Sequence, residues 1–372
     1  MSSALRIGLV GPLPPPPGGM ANQTRQLADL LGAEGIDVVI ASTNAPYRPA
    51  WIGGARGLRA LFRFVPFLKA VRALSGTVSV MHVMANSGWA WFLCAAPAVN
   101  AAVRRGVPVI VHYHGGLARE FLAKSSARVA RTLRQASVVV VPSRFLQEVF
   151  AAHGVESQVI PNGVSLDVFR LGPERPPGGR GSHVVITRNL EALYGIDTAI
   201  RAAAILRKEF PDLVVSIAGS GPHRGALENL TAELHLAQVI RFTGRLDVAQ
   251  IAALYAQADV VLNPSRADNT PTSLLEAAAC GVPIVSTNVG GVPYLVEHGC
   301  SAWLIPPDAP ELMAEALARV LNDADLRRKL RANGIELANS CSWSNVKRQW
   351  LELYDRVLSE HRLRAAQVAN QG

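Results

Sequence analysis

Two carboxylates, Asp268 and Glu276, stand eight positions apart in the stretch NPSRADNTPTSLLEAAACGVPIVSTNVGGVPY, which runs from Asn263 to Tyr294. An apolar run ends at about Leu262, and a polar loop then holds Asp268, Asn269, Thr270 and Pro271. A helical pattern begins near Thr272 or Ser273, continues through Leu274, and carries Glu276 in its first turns. The start of a helix offers free N–H groups and positive potential to a diphosphate. Carboxylates beside it can accept hydrogen bonds from the hydroxyls of a ribose or a hexose. The spacing alone equally fits a polar loop and an early Glu that stabilises its helix by ~0.3–1 kcal/mol.

Other residues have chemistry in reach. His112-Tyr113-His114-Gly115 closes the apolar run Val107–Val111, so His114 falls at the end of a strand, where a side chain can face a cleft. A histidine there is also a common structural residue. Pro14-Pro15-Pro16-Pro17-Gly18-Gly19 follows the first strand and precedes a helix through Leu27, Leu30 and Leu31. Gly18 and Gly19 let backbone N–H groups approach a phosphate or sugar, and a plain turn explains them as well. Gly219-Ser220-Gly221-Pro222 follows the strand Val214–Ala218 and has the same two readings. Asn162-Gly163 is a good turn pair.

These residues sit in a regular frame. Strand-like runs at Leu5–Val10, Val38–Ala41, Val78–Val83, Val107–Val111 and Val138–Val141 alternate with helical patterns. A second set follows at Val184–Thr187, Val214–Ala218, Val239–Thr243, Val260–Leu262 and Pro283–Ser286. Runs of Val and Ile, apolar on both faces, belong to parallel strands covered by helices. The expected class is α/β, with a doubly wound sheet in each half and ligands at the strands' carboxyl ends. Residues 1–171 form the first domain, 172–181 a Pro/Gly-rich linker, 182–342 the second domain and 343–372 a terminal helix bearing Trp350, Leu353, Tyr354 and Val357.

Composition narrows the function. With 49% hydrophobic and 17% charged residues, both domains can bury large cores. No apolar run reaches about 18 residues, so no spanning helix is expected. Met1 to Gly11 lacks a basic start and a long apolar segment, which argues against a signal peptide. Cys94, Cys280, Cys300 and Cys341 lack ligand spacing and read as reduced thiols, so no metal site is expected. Residues 1–170 hold 17 Lys and Arg against 7 Asp and Glu, so this part faces something anionic. No nucleic-acid-binding motif accompanies the charge. Arg56, Arg59 and Arg63 share one helical face, opposite Leu58, Leu61, Phe62 and Val65, before Pro66 interrupts the pattern. Phe67, Leu68, Val71 and Leu74 then oppose Lys69 and Arg72. This basic segment, residues 56–72, is expected to lie on an anionic membrane surface, with Phe62, Phe64 and Phe67 exposed; an ordinary core-facing helix with a solvated basic face is the alternative.

The stretch from Asn263 to Tyr294 resembles the donor site of the retaining family 4 glycosyltransferases, which have the GT-B fold. Their pattern is Glu, seven residues, Glu, a helix of small residues, Gly-x-Pro and a Gly-Gly turn. Asp268 and Glu276 match the carboxylates, followed by Gly281-Val282-Pro283 and Gly290-Gly291. The resemblance implies that Glu276 bonds the ribose, that Asp268 contacts the transferred sugar, and that His114 lies near the reacting carbon. The family's second-domain pattern, Gly-Arg-Leu, three residues, Lys-Gly, departs here: Asn189 replaces Arg and Tyr194 replaces Lys. Arg188 or Arg266 could supply the missing guanidinium. Tyr294 stands where the family has a carboxylate.

The resemblance covers nearly the whole chain and implies two Rossmann-like domains facing a central cleft, with the last helix packing back on the first. It implies a glycosyltransferase; the isolated cysteines and the basic segment are those expected of a cytoplasmic protein peripheral on the inner face of the cell membrane. The donor is a nucleotide-sugar, such as a UDP- or GDP-sugar, and no cofactor or metal is required. The acceptor is lipid-linked or a polysaccharide, as in lipopolysaccharide and other cell-surface glycan synthesis. Two alternatives share the scaffold: a phosphorylase or sugar-phosphate synthase, and a non-catalytic nucleotide-binding protein. A dinucleotide oxidoreductase lacks a proper G-x-G-x-x-G after the first strand.

Overall fold

The computed structural model describes residues 5–15, 19–46, 58–173 and 182–369, without the side chains of 58–61 and 368–369. Gly18, Arg56, the side chain of Arg59 and linker residues 174–181 lie outside what is described. The chain divides into two compact units, Met1–Pro161 with Lys347–Gly372, and Asn162–Val346.

In the first unit, strands alternate with helices along the chain. They are β1 (Arg6–Gly11), α1 (Gly19–Ala33), β2 (Asp37–Ser42), α2 (Leu58–Leu74), β3 (Val80–Ala85), α3 (Ala96–Val103), β4 (Val109–Tyr113), α4 (Ala118–Leu133), β5 (Val138–Val141), α5 (Arg144–Ala151) and β6 (Gln158–Val159). The strands form a parallel sheet in the order β2-β1-β3-β4-β5-β6. Every residue of β3 and β4 is buried, as expected of strands covered on both faces. Met81, Val83, Val109 and Val111 join one core with Trp91 and Phe150. The alternate residues of the same strands include His82 and His112, which face Trp350 of the last helix, α13 (Trp343–Ala369). Val346, Trp350, Leu353, Tyr354 and Val357 are all buried, a stripe with helical spacing.

Helix α2 runs through Pro66 without a break, so the expected interruption there does not occur. Phe67 is also buried, along with Val71 and Leu74, whereas Phe62 is 43% and Val65 41% exposed. The exposed aromatic cluster expected from sequence therefore loses Phe67 to the core, because residues 67, 71 and 74 share the face that packs inward.

The second unit contains β7 (His183–Thr187), α6 (Ile196–Leu206), β8 (Val214–Ala218), α7 (Arg224–Glu233), β9 (Ile240–Gly244), α8 (Val248–Ala256), β10 (Val260–Asn263), α9 (Thr272–Ala279), β11 (Ile284–Thr287), α10 (Val292–Leu295), β12 (Trp303–Ile305), α11 (Pro310–Asn322) and α12 (Ala324–Ser340). Its parallel sheet has the order β12-β11-β10-β7-β8-β9. Successive residues divide between two cores: Val184, Ile186, Val260 and Leu262 line one face, Val185, Val261 and Ile284 the other. The strand order reverses between β7 and β10, which is where doubly wound sheets open a binding crevice.

Residues 162–171, grouped with the first domain from sequence, pack in the second unit. Val164 bridges Ser342, the Phe169 ring lies tilted beside that of Tyr255, and the Gly172 N–H donates to the Cys280 carbonyl. Strand β12 was not anticipated, since three residues beginning with Trp303 carry little periodicity.

Candidate active site

The apolar strands β10 and β11 end in polar residues, VVLN and IVST, and these buried ends build a network. Asn263 Nδ2 donates to Ser286 Oγ at 3.0 Å, and Thr287 Oγ1 donates to the Ser265 carbonyl at 2.6 Å. Ser265 Oγ donates to Asn263 Oδ1 at 2.8 Å and reaches Asp268 Oδ2 at 3.2 Å. The loop between β10 and α9 is thereby fixed before any ligand arrives.

Arg188, just past β7, enters this network from the other side of the crevice. Its Nε donates to Asn263 Oδ1 at 2.8 Å. Its Nη2 lies 2.8 Å from Asp268 Oδ2, off the line of a hydrogen bond, so that contact is an ion pair. The two side chains are 12% and 13% exposed, which shields the pair from solvent. The Arg188 guanidinium also lies 5.7 Å from the centre of the Tyr194 ring. Tyr194, which replaces a lysine of the family pattern, thus offers this arginine an aromatic face. Asn189 turns to Glu191 at the surface instead.

Helix α9 begins at Thr272, as the sequence indicated, and no side chain caps it. Two buried polar atoms nearby, Thr270 Oγ1 and Asn162 Oδ1, make no hydrogen bond among the described residues. Asn162 reaches the Thr270 carbonyl through its Nδ2 at 3.4 Å. Uncapped N–H groups and unpaired polar atoms in one place are open to a polar ligand.

Glu276 is half-buried on α9. Burial raises its carboxyl from the usual 4.5 to about 7, although Arg188 pulls the other way. Tyr255 on α8 supports this region: its phenol and Thr187 Oγ1 lie 2.6 Å apart, and it donates to the Ser273 carbonyl at 3.3 Å. Burial pushes the Tyr255 phenol well above its ordinary range.

Glycines hold these segments together. A Cβ on Gly219 would strike the Arg188 carbonyl, and one on Gly221 the Leu190 carbonyl. Gly290, at φ +54°, and Gly291 lie equally close to the carbonyls of Asp268 and Asn269. The Gly291 N–H donates to the Asp268 carbonyl at 3.1 Å. Gly219 and Gly221 therefore position Arg188 by close backbone approach.

Two expected residues take structural places. Arg266 Nε donates to Asp308 Oδ1, Nη1 to the Ala192 carbonyl and Nη2 to Asp197 Oδ2, all at 2.6–2.7 Å. Its guanidinium is committed to these partners, so it does not supply a free cation. Leu274 is buried in the core, and its N–H donates to the Pro271 carbonyl at 3.0 Å. Asn269, Pro271 and Ser273 are buried around the same loop, and Tyr294 is exposed on α10.

In the first unit, Gly19 is the exposed first residue of α1. His114 follows β4, with its N–H donated to the Ala85 carbonyl at 2.9 Å. Its ring lies 4.0 Å, centre to centre, from that of His112. His112 Nδ1 is 3.3 Å from His82 Nε2, and His82 Nδ1 is 2.7 Å from the Tyr354 phenol. Burial lowers all three imidazoles, His82 to about 3 and His114 to about 4. Sequence reasoning named His112 and His114 but missed His82. The available signal was a histidine inside the wholly buried strand VMHVMA, where a polar group requires a partner.

No group of three or more His, Cys, Asp or Glu suited to a metal ion occurs among the described residues. Nor does any helix there have the length and apolarity to cross a membrane.

The family model described as Glycosyltransferase Family 4 matches residues 17–168, and that described as Glycosyl transferases group 1 matches residues 179–337. D-inositol 3-phosphate glycosyltransferase of Jonesia denitrificans is 30% identical over 255 residues, 64% of this chain and 58% of that protein. Its Corynebacterium urealyticum counterpart is 29% identical over 56% of this chain and 53% of that protein. The chain thus spans little more than half the length of these relatives. Glycogen synthase of Mycobacterium tuberculosis is 26% identical over 91% of both chains. Among solved structures, sucrose-phosphate synthase from Thermosynechococcus elongatus has a TM-score of 0.75 at 21% identity, covering 96% of this chain and all of that one. An Anabaena protein crystallised with UDP and glucose has a TM-score of 0.73 at 19% identity, covering 95% and 100%. These structures show the GT-B fold, and the two family models in tandem take in most of the chain. The chain belongs to the family 4 glycosyltransferases.

Proposed function

We propose that the protein transfers a sugar from a UDP- or GDP-sugar to a glycan or lipid-linked acceptor, with retention of anomeric configuration. The observation that carries this reading is the cluster of Arg188, Asp268 and Glu276 around the uncapped start of α9. The helix N–H groups and Arg188 take up the charge of the departing diphosphate, the largest electrostatic demand of the reaction. Glu276, once ionised, accepts from the ribose hydroxyls. Asp268 is held beside the place of the transferred sugar, and His114, in the first unit, is assigned a sugar contact. Arg188, Gly219, Gly221 and residues 269–273 are the donor-binding set. Arg266 and Leu274 drop out because their polar groups are already used.

The test is calorimetry with UDP, GDP and their glucose and mannose conjugates, followed by measurement of nucleotide release. Binding of one nucleoside diphosphate with turnover of its sugar supports the reading. A folded protein that binds neither nucleotide overturns it. Binding without turnover favours a non-catalytic nucleotide-binding protein.

A phosphorylated small acceptor is a second reading. It is favoured by similarity to proteins named for D-inositol 3-phosphate and sucrose-phosphate. Sugar phosphates offered as acceptors separate it from a lipid-linked substrate.

Attachment to an anionic membrane face belongs to the lipid-linked reading. Its support is the charge excess of residues 1–170 together with exposed Phe62, Val65, Lys69 and Arg72 on α2. Co-sedimentation with phosphatidylglycerol vesicles at low salt tests it, and no binding there defeats it while leaving the transferase reading intact.

A further inference from the structure

The histidines behind His114 have no part in the chemistry above, yet their contacts have a direction. Tyr354 is fully buried, and the partner of its phenol is His82 Nδ1, at 2.7 Å. A phenol is a stronger acid than a neutral imidazole, and an imidazole nitrogen is a better acceptor than a phenol oxygen, so the phenol donates. His82 Nδ1 then accepts, so the His82 proton sits on Nε2 and is donated to His112 Nδ1 across 3.3 Å. The His112 proton is left on Nε2. His112 Nε2 has no partner among the described residues in either direction, so the direction is set at the other end, where the phenol is the stronger acid across 2.7 Å. Trp350 covers the link, with its ring 5.0 Å from that of His82 and 4.9 Å from that of His112.

We propose that Tyr354 of α13, acting through His82, fixes the tautomer of His112 and thereby the orientation of the His114 ring that lies tilted against it, at 4.0 Å between centres and 52° between planes. Tyr354, His82 and His112 are positioning residues, and the proposal rests on the sugar contact assigned to His114. It gives α13 a task beyond covering the sheet. The phenol and His114 share no element and no direct bond, but the chain of two imidazoles joins them through β3 and β4. Burial keeps all three imidazoles neutral near pH 7, so the order of donors is not scrambled by a second proton.

Long-range nitrogen–proton spectra of the full chain, labelled with 15N-histidine, read each tautomer directly. In the wild type, His82 and His112 are both expected to carry the proton on Nε2. Tyr354→Phe should shift the His112 and His114 resonances and mix the His112 tautomers. It should lower kcat about 10-fold, as small displacements of reacting groups do, with the donor KM within about twofold. His82→Gln, which can still accept and donate, should retain more kcat than His82→Leu at equal folded content. A proton on His82 Nδ1 in the wild type overturns the proposal. Unmoved His114 resonances with unchanged kcat in Tyr354→Phe also overturn it. Full turnover by His114→Ala removes only the sugar-contact assignment, since the spectra judge the relay independently of activity.

Discussion

Both units bury polar residues in their parallel strands, inside β3 and β4 in the first and at the carboxyl ends of β10 and β11 in the second, and they treat the charge in opposite ways. In the first unit the sheet hides His82 and His112 against Trp350 and Tyr354, and the group stays neutral. In the second, Arg188 and Asp268 form a shielded ion pair, and the Glu276 carboxyl beside them is raised by burial to about 7. Neutral hydrogen bonds can fix geometry at little desolvation cost, whereas shielded charges are retained at considerable cost. The contrast is between neutral hydrogen bonding in the first unit and shielded charge in the second.

The largest test of this contrast is Arg188→Ala. Losing its charge should weaken nucleoside diphosphate binding by about 150-fold or more, while the nucleoside alone loses far less. Calorimetry with both ligands checks it, and equal losses would count against a pyrophosphate role. The same change removes the cation facing Glu276, so the Glu276 carboxyl should titrate higher still.

Glu276→Gln comes next. Donor binding should fall about 10- to 150-fold at pH 8, the cost of one charged hydrogen bond. At pH 6 the gap should narrow, because the wild-type carboxyl is then mostly protonated. The unliganded variant should be more stable than the wild type at pH 8. The carboxyl's value is raised in the folded state, from 4.5 to about 7, so the fold binds more protons than the unfolded chain between these values. Stability from this group is therefore lost as pH rises through that window, by up to about 3 kcal/mol. A flat difference between the two proteins from pH 5 to 8 would remove Glu276 from this account.

The histidines carry the opposite sign. Their folded values are depressed, so the unfolded chain binds more protons between about 4 and 6.5. Stability from this group is full above pH 6.5 and declines as pH falls through that range. Denaturant titrations of the wild type and His82→Gln at pH 5 and 7.5 measure it. The variant should lose less stability on acidification, and an equal loss would assign the acid sensitivity elsewhere.

The smallest effect should come from Arg266→Gln. Arg266 bonds Asp197 and Asp308, both partly exposed, so removal should cost about 1 kcal/mol of stability. Donor affinity should stay within about twofold. A large loss of donor binding would restore Arg266 to the site and weaken the case for Arg188.

Local sequence carried much of the fold. Runs of Val and Ile read as covered parallel strands, and ten of the twelve strands among the described residues lie within a residue or two of those runs. The two that escaped, Gln158–Val159 and Trp303–Ile305, are too short for a pattern to emerge. Asp268, Glu276 and the start of α9 were legible because one strand–loop–helix segment holds them all. The boundary at 171 was misplaced because the Pro/Gly-rich stretch marks a break in regular structure, whereas packing of Val164 and Phe169 decides which core owns them.

What the sequence determined by itself was the periodicity of its elements, the positions of its turns and the chemistry available at each strand end. Only the tertiary structure decided which of those groups meet. His82 and Tyr354 are 272 positions apart and are joined because α13 lies across the face of β3 and β4. Arg188 and Arg266 look alike as cations in the sequence, yet one faces the crevice loop and the other is enclosed by Asp197 and Asp308. Phe62 and Phe67 share a helix, and only the sheet beneath it makes one exposed and the other core. Local patterns arise from forces that act within a few residues. Partner choice arises from strand order and crossovers, which bring distant segments together and which local spacing does not encode.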